Sequence, residues 1–106
     1  MRTKLIFAFL GLTLLPPAAR AADSMALANE LGNLLASEGP CGLSYDQAAI
    51  EKFINSNVKD DDMRFPGTLS IMTKGAEVQI GNMSPSAKTA HCTQIKRIAK
   101  RYAFSK

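Results

Sequence analysis

Beyond Leu15 the chain has no long hydrophobic run, its two cysteines do not form a Cys-x-x-Cys pair, and it has no acid in the first 21 positions or from Lys88 onward. The first absence excludes a membrane span in the body of the protein, since crossing the hydrocarbon core takes roughly 20 consecutive apolar residues. The second argues against a thioredoxin-like redox pair. The third makes the distribution of charge more informative than its total. Other signatures are missing too: there is no Gly-rich phosphate loop, no zinc spacing, no dinucleotide fingerprint and no nucleophile elbow. An enzyme is not expected, and no cofactor or metal ion is implied.

The start of the chain reads as an export signal. Arg2 and Lys4 precede an apolar stretch from Leu5 to Leu15, broken only by Gly11 and Thr13, and Ala19-Arg20-Ala21 supplies small residues at a cleavage site. Pro16-Pro17 ends the run well short of a spanning length. Lipid attachment would need a cysteine at the cut, and the first cysteine is Cys41. The expected division is a signal peptide over 1–21 and one small domain over 22–106, located in the periplasm or outside the cell.

Removing the leader changes the charge. The full chain carries +4, but Arg2, Lys4 and Arg20 belong to the leader; ten basic residues then face nine acids. From Ala22 to Asp62 two lysines face eight acids, whereas Lys88 to Lys106 holds six basic residues and no acid. The domain is bipolar rather than basic.

In an exported chain of this size, Cys41 and Cys92 read most simply as one disulfide, because small domains have limited cores and an oxidising compartment preserves the bridge. Two free buried thiols are the alternative.

The hydrophobic pattern predicts helices. Ser24 suits the cap of a first helix to about Ser37, with Leu27, Leu31, Leu34 and Leu35 on its buried side, Gly32 as a weak point and Gly39-Pro40 as the stop. Ser44 and Gln47 have capping-box spacing, with Leu43 and Ala48 as a staple, so a second helix is expected from Tyr45 to Asn57 with Ile50, Phe53 and Ile54 inward. Asp60-Asp61-Asp62 fits a helix start, and a turn to about Phe65 precedes a helix carrying Leu69, Ile71 and Met72. Glu77 to Ile80 alternates like a short strand but has no visible partner, so helix is preferred over strand there. Ser84 and Pro85 open a final helix to about Ala103. The expected fold is all-α, a small bundle of about four helices closed by Cys41 and Cys92.

Each chemical candidate has a plainer explanation. His91 beside Cys92 is no nucleophilic pair, because adjacent helix residues do not face each other and a disulfide consumes the thiol. The three aspartates lack the ligand spacing and glycine of a calcium loop. Lys96, Arg97, Lys100 and Arg101 stand out, since they place two like-charge i,i+4 pairs on one helix, an arrangement that costs helix stability. These four form the candidate interaction face, for an acidic protein or an anionic envelope surface. Nucleic acid is not an expected partner, given the location and only Tyr102 and Phe104 as nearby stacking rings.

The run from Met83 to Cys92, followed by Ile95, Ala99 and Tyr102, together with Cys41-Gly42-Leu43 leading into Ile50 and Ile54, resembles small exported alphaproteobacterial proteins of unknown function. That resemblance implies an envelope location and a helical fold. A looser similarity, covering architecture and the Cys92-Thr93-Gln94 neighbourhood but with a different helix register, is to bacterial acid-stress periplasmic chaperones. It implies an alternative function: in acid the carboxylates discharge, ten basic residues and His91 repel, and the bridge limits expansion while apolar stripes meet unfolded clients. Suppressed light scattering from an aggregation-prone client at about pH 2 to 3 is the result that reading requires.

Overall fold

A computed structural model describes residues 17–105, with side chains from Asp23 onward. Most of the expected leader lies outside the described residues. Four helices follow in order: α1 (Pro17–Ser37), α2 (Gln47–Asn57), α3 (Phe65–Gly81) and α4 (Pro85–Arg101). There is no strand among the described residues. The alternating Glu77 to Ile80 segment is the last turn of α3, because Ala76 and Ile80 bury against Ala36 of α1 and give a helix the packing partner that a lone strand lacks.

α1 is the central element. Ala28, Gly32 and Ala36 recur every fourth residue and all are buried. A Cβ at Gly32 would stand 3.0 Å from the backbone carbon of Met72 and the nitrogen of Thr73, so this small-residue line is the seam that lets α3 approach. Gly32 is therefore a packing requirement rather than only a weak point in the helix. Leu31 and Leu34, almost fully buried, join Tyr45, Phe65, Ile95, Ala99 and Phe104 in the main core. Full burial of such a leucine contributes about 2 kcal/mol.

The starts of α1 and α2 differ from the sequence expectation, each for a local polar reason. Ser24 lies inside α1, not at its cap, and its hydroxyl donates to Asp62 Oδ2 at 2.8 Å. The other oxygen, Asp62 Oδ1, accepts the amides of Arg64 and Phe65, both at 3.2 Å, so one carboxylate both organises the entry to α3 and ties it to α1. Pro66-Gly67 then sits in the first turn of α3, where a missing N–H is harmless. In α2 the cap is Asp46, which accepts the amide of Ala48 at 3.0 Å. The expected Ser44–Gln47 box does not form around a start at Tyr45, because the Tyr45 amide donates to Glu38 Oε2 at 2.6 Å and holds that residue in the connection. Ser84 does cap α4, accepting from Ala87 at 3.1 Å.

The connection after α1 is stapled by a side chain and a backbone amide that satisfy the terminal carbonyls of α1. Tyr45 donates its hydroxyl to Leu34 O at 2.8 Å, and the Cys41 amide donates to Ser37 O at 2.9 Å. Burial, and then the nearby Glu38 carboxylate, push the Tyr45 phenol up to about 12. Its ordinary value is 10, so the stabilisation is present in full below pH 10 and is lost as pH rises from about 10 through 12. The loss is expected to reach about 2 kcal/mol. Urea unfolding followed by circular dichroism across this range should show it, with a flatter pH dependence for Tyr45→Phe.

Candidate functional site

The basic helix is held at its middle and at its C-terminal end. At the middle, Cys92 is bonded to Cys41, and His91 Nε2 lies 2.8 Å from the oxygen of Ser37, which is completely buried. The Ser37 hydroxyl donates to Asn33 O at 2.6 Å, which leaves its oxygen to accept and places the ring proton on Nε2. His91 and Ser37 thus brace α4 against the end of α1. The disulfide consumes the thiol beside His91.

At the C-terminal end the chain turns back. α4 stops at Arg101, two residues before the expected Ala103, because Ala103 adopts φ 60°. The amide of Phe104 donates to Ala99 O at 2.9 Å and that of Ala103 to Lys100 O at 3.1 Å, the bonding pattern of a Schellman cap with alanine in the left-handed position that glycine usually fills. Phe104 is thereby driven inward to complete burial. Its ring lies 5.7 Å from Tyr45, 5.6 Å from Phe53 and 5.8 Å from Tyr102, centroid to centroid. Its carbonyl accepts the Asp46 amide at 2.7 Å and so fastens the start of α2. Tyr102 donates to Glu30 Oε1 at 2.6 Å, a bond that raises its phenol above the ordinary range.

Along α4, Cys92, Ile95 and Ala99 are buried while Lys96, Arg97, Lys100 and Arg101 are all exposed. The four cations occupy one side of two successive helical turns. Lys100 and Arg101 also lie in the last turn, where positive charge complements the helix dipole, but Lys96 and Arg97 stand one turn earlier. The structure therefore presents the four candidate residues together on a rigid, outward surface. Rings that were candidates for stacking do not accompany them: Phe104 is in the core and Tyr102 is half-buried against Phe53.

Two clefts lie elsewhere. One of about 500 Å³ lies beside the early part of α1 and the α2–α3 connection, with Met25, Leu27 and Val58 among its walls. Asp62 lines it, but both carboxylate oxygens already accept hydrogen bonds. Another, of about 620 Å³, is an open groove between the ends of α1 and α3 and the start of α4. Among the described residues no three His, Cys, Asp or Glu side chains gather as a metal site, and no helix is long and apolar enough to cross a membrane. No protein family, curated protein or solved structure matches the chain.

Proposed function

We propose that the chain is an exported, non-enzymatic interaction protein of the bacterial envelope or periplasm, which holds an anionic partner on the outer side of α4. The observation that supports this reading is the exposed cluster Lys96, Arg97, Lys100 and Arg101 on a helix fixed at its middle by a disulfide and at its C-terminal end by the Phe104 cap. A surface held in this way loses little freedom when it binds, so more of the electrostatic attraction appears as affinity. The partner is an acidic protein or an anionic envelope surface. Attraction of this kind is screened by salt over about 8 Å at physiological ionic strength, so binding should weaken as salt rises.

Replacing all four residues with glutamine should leave the circular dichroism unchanged and reduce partner capture in envelope crosslinking by about tenfold or more, equivalent to about 1.4 kcal/mol. Identification of the crosslinked species separates a protein from a lipid or polymer. An unchanged crosslinking pattern would overturn the proposal.

A further inference from the structure

The four methionines among the described side chains fall into two classes. Met72 and Met83 are half-buried, the first packed against the main core and the second against Ala36, Ala76 and Ile80. Met25 is 54 % exposed and Met63 85 %. A thioether left this far in water gains little of the stabilisation that burial gives a flexible apolar side chain.

The exposure of Met63 is imposed by the turn that carries it. The Met63 amide donates to Asp61 O at 3.0 Å, and the Asp62 carboxylate reaches past Met63 to accept the amides of Arg64 and Phe65. These bonds fix the backbone on both sides of Met63 and send Phe65 into the core. Met25 follows Ser24, whose hydroxyl donates to the same Asp62. An exposed methionine thus follows each partner of the bond that ties α1 to the entry of α3. Met25 lines one cleft and Met63 the adjoining one, and Val58, Lys59 and Asp62 are walls of both.

Thiolates are the usual first targets of peroxides, but both cysteines here are held in the disulfide. The thioethers come next. A sulfur lone pair attacks one peroxide oxygen, the O–O bond breaks, that oxygen stays on sulfur as the sulfoxide, and hydrogen peroxide is reduced by two electrons to water as sulfur loses two. Access to solvent decides which methionine reacts. A sulfoxide in packed surroundings disrupts them, whereas on an exposed side chain it replaces a wet apolar group with a polar one.

We propose that Met63, and after it Met25, are reversible oxidation sites at which the folded protein takes up one oxygen atom each from a peroxide-class oxidant, while Met72 and Met83 stay reduced. Methionine sulfoxide reductases, one for each epimer, restore both, because neither side chain has to leave the core to be reached. The modification turns the rims of two adjoining clefts from apolar to polar. It involves none of the cations of α4 and stands or falls independently of the function proposed for them.

Trypsin separates the four side chains, since Met25, Met63, Met72 and Met83 fall in the peptides 21–52, 60–64, 65–74 and 75–88. Graded hydrogen peroxide on the purified disulfide-bonded protein, followed by mass spectrometry of these peptides, should show Met63 reacting fastest and Met25 second. Met63 should lead Met72 and Met83 by about tenfold or more. The protein modified at both sites should keep its circular dichroism and urea midpoint, and the two reductases together should return both peptides to their parent mass without unfolding. In the variant carrying Met25→Leu and Met63→Leu the fast uptake should vanish. Met72 or Met83 reacting as fast as Met63, a fall in the urea midpoint on modification of Met63, or sulfoxides that the reductases reach only after unfolding would overturn the proposal.

Discussion

Replacing both Cys41 and Cys92 with alanine is expected to lower the unfolding free energy by about 4 kcal/mol. The two positions are 51 residues apart in sequence, and in the chain-entropy model closure of a loop of that length restricts the unfolded chain by this amount. A domain of this size has only a few kcal/mol to about 10 kcal/mol in all, so the variant should be largely or partly unfolded at 37 °C. Urea denaturation monitored by circular dichroism measures it. The midpoint should fall and the denaturant slope should rise, because the unbridged chain exposes more surface on unfolding. A loss under about 1 kcal/mol would mean that the non-covalent contacts of α4 are enough to hold it in place.

Phe104→Ala is expected to cost about 3 to 5 kcal/mol, the usual range for a buried phenylalanine truncated to alanine. The ring has no exposed surface and touches the rings of Tyr45, Phe53 and Tyr102, which belong to or flank different helices. Removing it leaves a cavity where the chain end meets α2 and the α1–α2 connection, with the Ala103 backbone still in its left-handed conformation. Thermal unfolding should show the loss as a fall in Tm of well over 10 °C for a domain this small. A shift of only a few degrees would show that the end of the chain is dispensable to the core.

Phe104 also marks the limit of what the sequence makes legible. Helical spacing was enough for the elements themselves and for the inner line of α4, and the expectation of export together with two cysteines was enough for the bridge that the structure contains. Those signals are local or depend on counting. Phe104 lies past the last helical turn, and its burial depends on Ala103 taking a conformation that favours glycine, so no periodicity includes it. The same holds for Asp62: three consecutive aspartates predict a helix start, but the partner Ser24 is 38 residues away and was itself expected to cap α1. Gly32 looks like a defect until α3 is laid against it. The candidate cations were found as a group because the spacing that places them on one side of a helix is written directly in the sequence. Their clamping by Ser37, Glu30 and Phe104 comes from contacts between distant segments.

The disulfide has a mechanical consequence as well as a thermodynamic one. α2 and α3 both lie between Cys41 and Cys92, inside the covalent loop. Tension applied between the two ends of the domain passes along α1, across the sulfur bridge and into α4, and never reaches them. Only the segments outside the loop can be drawn out, and a stretch of about 170 Å of fully extended chain is withheld from any pulling force while the bridge is intact.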